Sequence, residues 1–304
     1  MNRVLFLFLD GVGLGVDDRG SNAFARACMP NLNGLLDGRR LMGDLPVFST
    51  ERVSFVPADA CLGVEGMPQS ASGQGAILTG INVPRRIGKH WGPKPNAEIK
   101  TVLREDNLFK RLRNRGCSVL LANAYPPAFL QRIESGRIGL SAIQLALKAA
   151  GANLCTEADF RHGRAFSADF TGEAWRSQLG FADTPLLTPD EAGRGLALAA
   201  REYGLFFFDH WITDVVGHRG TMDEAIAVLE RFDAVLGGIL NTWRMEDGLL
   251  FIASDHGNLE DKSTRRHTHN PVPVVIMGKG HRQVADKITD ISDISPALLT
   301  YLDR

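Results

Sequence analysis

The sequence is poor in thiols, in net charge and in long apolar runs. Its four cysteines (Cys28, Cys61, Cys117, Cys155) are widely scattered with no CxxC pair, which argues against a disulfide framework or a thiolate zinc site. Thirty-four Lys and Arg face 35 Asp and Glu, and no block of like charge forms a nucleic-acid stripe or a polybasic membrane anchor. No apolar stretch approaches membrane-spanning length. The segment Met1 to Leu9 has the look of a signal peptide. Its apolar run is very short, however, and Asp10-Gly11 follows where a small-residue cleavage site belongs. A buried first strand and a cytoplasmic location are therefore expected, with neither nucleic acid nor membrane as partner.

What is present is ordinary in bulk and specific in pattern. A chain of 304 residues, 44% hydrophobic and 23% charged, suits one large α/β domain or a core with a small insertion. Val4 to Leu9 reads as a strand buried on both faces. Asn22 to Leu36 reads as a helix region interrupted near Met29-Pro30, and a helix starts directly after Ser70. Asn107 to Arg115 is an amphipathic helix stopped by Gly116, and Ser118 to Ala122 is the next strand. The helix Pro189 to Tyr203 precedes the strand Leu205 to Phe208, and Met222 to Leu240 carries a long helical period. Leu249 to Ala253 and Val272 to Ile276 are further strands, and Ser295 to Tyr301 closes with a helix. This alternation predicts a doubly wound, mostly parallel sheet with its site at the strand C-termini. The piece 126–187 breaks the rhythm with turns, one clear helix (Leu140 to Ala150) and a polar-aromatic stretch. It is expected to be a small cap inserted between core segments 1–125 and 188–304.

Four short segments carry the chemistry: Phe8-Leu9-Asp10-Gly11, Pro68-Gln69-Ser70, Asp214 to His218, and Ser254 to Asn258 followed by His267-Thr268. Most fall just after a β-like run. Asp10 alone reads as a turn aspartate, and the glycines that follow it (GVGLG) do not match a dinucleotide loop. Ser70 alone reads as a helix N-cap, but the same placement offers helix N–H groups to a phosphate. Asp214 and His218, four apart, share one face if their segment is helical. Asp255-His256 follows a buried strand, with Gly257 allowing a tight turn. His267 and His269 compete for one role. Carboxylates, imidazoles and a hydroxyl without thiolates suit zinc or manganese. Two such ions flanking a serine would serve phosphoryl transfer.

At these residues the chain resembles the alkaline phosphatase superfamily, within it the metalloenzyme branch of cofactor-independent phosphoglycerate mutase and phosphopentomutase. The resemblance runs through Leu9-Asp10-Gly11, Asn22-Ala23 to Pro30, Gly66-Met67-Pro68 into Ser70, Asp214 to His218, Ser254 to Asn258, His267 to Pro273 and Asp293 to Pro296. It implies two divalent metal ions (manganese or zinc), one held by Asp214, His218 and His267, the other by Asp10, Asp255, His256 and the nucleophile Ser70. His267 is preferred over His269 because Asn270-Pro271-Val272-Pro273 fixes the register, and Ser70 over Ser72 by its distance to Thr79-Gly80. No CxPxR-like motif supports a sulfatase. Gln74 stands where the phosphoglycerate mutases place a histidine, and the interval between Ser70 and Asp214 is short for their insertion domain.

The leading expectation is a hydrolase of phosphate esters acting on a small phosphorylated substrate through a phosphoserine at Ser70. The alternatives are a phosphomutase, a phosphodiester or phosphonate hydrolase, and a non-catalytic metal- or phosphate-binding module. Arg85, Arg86 and Lys89, with His90 and Lys94, are candidates to grip the substrate; Arg161, Arg164 and Trp175 are candidates from the cap. Oligomeric state is left open by these features.

Overall fold

The computed structural model describes residues 2–303, so Met1 and Arg304, the ends of the expected core, lie outside it. Nine strands form: β1 (Val4–Leu9), β2 (Phe48–Ser49), β3 (Val53–Ala58), β4 (Val119–Leu121), β5 (Ala124–Tyr125), β6 (Cys155–Thr156), β7 (Leu205–His210), β8 (Leu249–Ala253) and β9 (Val272–Met277). Seven of them make one sheet in the order β2-β3-β9-β8-β1-β7-β4, and β5 and β6 pair separately. Strands β4, β7, β1 and β8 run parallel to one another. β9 is antiparallel to both β8 and β3, and β2 is antiparallel to β3. Only β9 and β2 therefore oppose the common direction.

The reversal at β9 departs from the simple alternation of strand and helix. Residues 254–271, between β8 and β9, contain no helix, and a parallel return requires a crossover. The chain instead folds straight back, and its connecting loop becomes part of the site.

Strand β1 explains why the sheet is covered on both faces. Its side chains alternate: Val4, Phe6 and Phe8 enter one apolar core, and Leu5, Leu7 and Leu9 enter the other. Helices Ser70–Thr79, Ala97–Glu105, Leu108–Asn114 and Ile294–Leu302 supply the first core. Helices Pro30–Leu35, Pro189–Ala200 and Met222–Thr242 supply the second. Phe207 on β7 sits 4.5 Å from Phe6 and 5.7 Å from Phe109, centroid to centroid, tying sheet to helices.

Three details differ from the sequence reading. The region Asn22 to Leu36 splits into a 3-10 turn (Ala23–Ala25) and the short helix Pro30–Leu35, as expected of proline in a helical pattern. The strand Val53–Ala58 and the helix Ala97–Glu105 are additional elements. Within the span expected as a cap, the helix Ala142–Ala149 packs on helices Ser70–Thr79, Ala97–Glu105 and Leu108–Asn114. Its apolar residues Ala142, Ile143, Ala146 and Leu147 are buried in the first core, so this helix is a core element. What remains of the span centres on a small separate cluster of Ala124, Cys155, Phe160, Ala165 and Trp175.

His210, at the end of β7, joins that outer segment to the sheet. Its Nδ1–H donates to the Ala168 carbonyl at 2.9 Å, and its ring lies 4.5 Å from Phe170. Burial pushes its pKa down from 6.5 to about 4. Above 6.5 the imidazole is neutral both folded and unfolded, and the contribution to stability is complete. As pH falls toward 4, the unfolded chain takes up a proton that the folded one refuses, and stability is lost, by about 3 kcal/mol at most. Urea unfolding between pH 7.5 and 4.5 should therefore show a shallower acid loss in His210→Phe than in the wild type.

Candidate metal centre

The site is built where strands end. β1 and β8 are adjacent with Phe8 opposite Ala253, so two residues later Asp10 and Asp255 emerge side by side. Gly11 turns the chain there at φ 69°, and a Cβ at that position would sit 2.7 Å from Asp214 Oδ1. Only glycine permits both the left-handed turn and this approach. Asp214 and His218 lie on the helix Ile212–Arg219, on one face as their spacing requires. Ser70 is the first residue of its helix and Gln69 is the N-cap, so Ser70 does not serve as the cap.

The seven residues converge. His218 Nε2 lies 3.0 Å from His267 Nε2 and 3.4 Å from Asp214 Oδ1, and His267 Nε2 lies 3.6 Å from the same oxygen. Beside them, His256 Nε2 is 3.4 Å from Asp10 Oδ1, 3.6 Å from Asp255 Oδ2 and 3.0 Å from Ser70 Oγ. The His256 and His267 rings stack at 3.7 Å. His269 is exposed and apart from this cluster, and Ser72 is buried with its hydroxyl donating to the Gln69 carbonyl.

The hydrogen bonding of this cluster calls for a cation. His218 Nδ1 faces the Arg265 carbonyl at 2.7 Å and His267 Nδ1 faces the Pro68 carbonyl at 2.6 Å. A carbonyl only accepts, so each Nδ1 carries a proton and each ring turns its Nε2 inward. Two such nitrogens 3.0 Å apart need a proton or a metal cation between them. Among the described residues, Asp10 Oδ1 and Asp255 Oδ2 are also buried without a hydrogen-bond partner. Burial raises the pKa of Asp10 and, with the Asp10 charge beside it, that of Asp255. Despite its own burial, Asp214 is drawn down to about 2 by His267, His256 and His218. His256 is lifted to about 10 against its burial by Asp255 and Asp10. The cluster attracts positive charge, and its inward oxygens and nitrogens are the donors a divalent ion takes. Ligand atoms of Asp214, His256 and His267, and of Asp10, Asp255 and His256, each lie within 4.8 Å of one another.

A ring of partners surrounds these residues, of which Glu260 was not singled out from sequence. Gln74 donates to Asp10 Oδ2 at 3.2 Å, and Asn258 donates to Asp214 Oδ1 at 2.9 Å. Glu260 is buried and accepts from the Gly13 amide, the Asn258 amide, the Thr268 hydroxyl and the Asn270 side chain. It thereby pins the β1 turn and the two halves of the 254–271 loop together. Only its place two residues after the Asp-His-Gly-Asn motif hinted at this.

The basic residues expected to grip substrate are elsewhere. Arg86 pairs with Glu105, Arg85 bonds the Leu62 carbonyl, and Lys89 lies over the Trp91 ring, all exposed. Their helix ends at Gly88 and keeps them off the cleft, whereas Lys94, past the turn, lines it. Arg161 pairs with Glu157 and Arg164 with Asp159 at the surface, while Trp175 does line the cleft.

Replacing Glu260 by Gln would set an amide N–H2 against the donors it now accepts. Metal affinity measured by competition with a chelating dye should fall by roughly 10- to 100-fold, with far-UV circular dichroism unchanged.

Known proteins place this arrangement. Residues 193–303 match the model of the Metalloenzyme superfamily. The 2,3-bisphosphoglycerate-independent phosphoglycerate mutase of Thiobacillus denitrificans is 34% identical over 113 residues, and that of Acaryochloris marina is 36% identical over 120. Each alignment covers 35% of this chain and 22% of the relative, so the chain spans about a fifth of the length of the curated relatives it matches. Over nearly its whole length the chain follows the fold of a Pyrococcus horikoshii protein (TM-score 0.58, 13% identity, 99% and 97% of the two chains). It also follows the alkaline phosphatase of the Antarctic bacterium TAB5 (TM-score 0.53, 14% identity, 98% of each chain). Asp214, His218, Asp255, His256 and His267 all lie inside the span that matches the Metalloenzyme superfamily model, and the chain as a whole has an alkaline-phosphatase-like fold.

Proposed function

We propose that the protein is a metal-dependent phosphoryl-transfer enzyme that hydrolyses small phosphate monoesters through a phosphoserine at Ser70. The observation that carries this reading is the position of Ser70 Oγ, 3.0 Å from His256 Nε2 at the rim of the carboxylate–imidazole cluster. Asp214, His218 and His267 would hold one divalent ion, and Asp10, Asp255, His256 and Ser70 a second, manganese or zinc by their donor types. Bound there, the ions supply positive charge that makes the serine oxygen nucleophilic and offsets the charge of the transferring phosphoryl group.

The chain's own residues do the rest. Ser70 is fixed at the amino end of its helix, and Gln69 makes no side-chain capping bond, which leaves that end and its dipole for the phosphate oxygens. Attack by Ser70 Oγ forms the Ser–O–P bond and releases the alcohol. Water then cleaves that bond and returns free serine and inorganic phosphate. His218 and His267, locked by the Arg265 and Pro68 carbonyls, hold their lone pairs in place throughout and need no reorientation. Elements of 126–187 other than the core helix Ala142–Ala149 form a cap over the reacting group, since Phe129, Trp175 and Gln178 help to line the cavity beside Ser70.

A phosphomutase is the second reading, favoured by the activity in the names of the relatives that match the C-terminal third. It differs only in whether the phosphoryl group returns to the substrate or passes to water.

Metal-stripped protein resupplied with manganese or zinc should hydrolyse 4-nitrophenyl phosphate, and intact-mass analysis after acid quench should show a phosphate adduct. Ser70→Ala should lose the adduct and at least about 1,000-fold in kcat. Turnover without an adduct, or an active Ser70→Ala enzyme, would remove the phosphoserine route.

A further inference from the structure

The cavity of about 560 Å³ that opens from Asp10, Ser70 and Asp214 carries an imbalance of charge. Among the described residues lining it, Lys94 is the one basic side chain, whereas Asp169 and Asp209 add two further carboxyl groups. Asp169 is consumed locally, accepting from the Ser167 hydroxyl and from the amides of Gly172 and Ala174. Asp209 is buried, and its Oδ1 has no hydrogen-bond partner among the described residues.

Most of the remaining exposed wall is apolar, with Tyr125, Phe129, Trp175 and Trp211 as its aromatic members, beside amide side chains such as Asn123, Gln144 and Gln178. Tyr125 and Phe129 stack with ring centroids 5.1 Å apart, and Trp175 is buried behind them in the cluster with Phe160. At the mouth, Leu179 is 47% exposed, Trp211 43% and Val215 41%. Val16, Val47, Leu186 and Leu198 are more exposed but none of them lines this cavity, whereas these three all do, beside one polar site. Exposed apolar surface concentrated in this way marks something that binds over it.

We infer that this cavity receives the alcohol portion of the substrate and that this portion is an uncharged aromatic group. The inference rests on the phosphate-ester reading and deepens it. A carboxylate or second phosphate on the alcohol requires a guanidinium fork or a pair of ammonium groups for recognition. Every arginine discussed above is engaged outside the cavity, and Lys94 is the one basic side chain among the described residues that line it. A flat ring instead finds the stacked Tyr125–Phe129 pair and Trp211 to pack against, in the offset or edge-on arrangements that aromatic rings prefer. Lys94 is left for the phosphate itself.

The test separates binding from turnover. Metal-loaded Ser70→Ala protein is titrated by calorimetry with methylphosphonate, benzylphosphonate and 4-carboxybenzylphosphonate. Benzylphosphonate should bind roughly tenfold more tightly than either of the other two, within the range that one pocket contact confers. In the active enzyme, Phe129→Ala and Trp211→Ala should lower kcat/KM for 1-naphthyl phosphate roughly tenfold more than for methyl phosphate. Equal or tighter binding of the carboxylated ligand, faster turnover of 3-phosphoglycerate than of naphthyl phosphate, or indifference to both truncations overturns the inference. If no phosphate ester is turned over and Ser70 is never phosphorylated, the phosphoryl-transfer reading fails, and the order of phosphonate binding still decides this one.

Discussion

Mutual repulsion among buried like groups is the constraint around which this structure is organised. Asp10, Asp214 and Asp255 are brought together with three imidazoles, two of which, His218 and His267, have their Nε2 turned inward by backbone carbonyls. A protein interior does not tolerate such a set without a compensating charge. The neighbouring parts of the fold act to hold it: two adjacent parallel strands that end together, a glycine that lets Asp214 approach, and Glu260 fastening the loop behind. Rigidity of this kind keeps ligand atoms where an ion needs them and spares the site a reorganisation when one binds.

The parts legible in the sequence were those governed by local pattern. β1, β7 and β8 announced themselves as apolar runs, and polar residues directly after such runs stood out, which is how Asp10 and Asp255 were found. The spacing of Asp214 and His218 places them on one face only if their segment is helical, as the helix Ile212–Arg219 is. The antiparallel return of β9 was hidden because a strand's direction depends on what its preceding loop does. The bonds from Gln74 to Asp10 and from Asn258 to Asp214 were hidden because contacts across more than forty residues leave no periodic trace. Glu260 was hidden because its bonds lie within an irregular loop and to the β1 turn. The basic cluster at Arg85, Arg86 and Lys89 misled for a related reason: proximity to Ser70 in sequence says little about which way a short helix turns its side chains.

The segment 126–187 lines the cleft without being independent of the core. The helix Ala142–Ala149 buries its apolar face beside the helix Ser70–Thr79, anchoring the segment. The elements on either side of it hold a small cluster of their own and supply much of the aromatic wall. His210 ties that outer portion to β7 through Ala168. The same stretch therefore serves both packing and recognition, with the division falling at the ends of one helix.

The ligand cluster also has a temporal aspect. The atoms that meet at the cluster come from loops more than 200 residues apart, Asp10 on one and His267 on the other. During synthesis β1 emerges before its neighbours β7 and β8 and well before the loop bearing His267. Until they follow, Asp10 is a solvated carboxylate at the end of an unpaired apolar strand. The cluster is complete only when that loop has joined the sheet, so ion capture follows the pairing of these strands and cannot guide it.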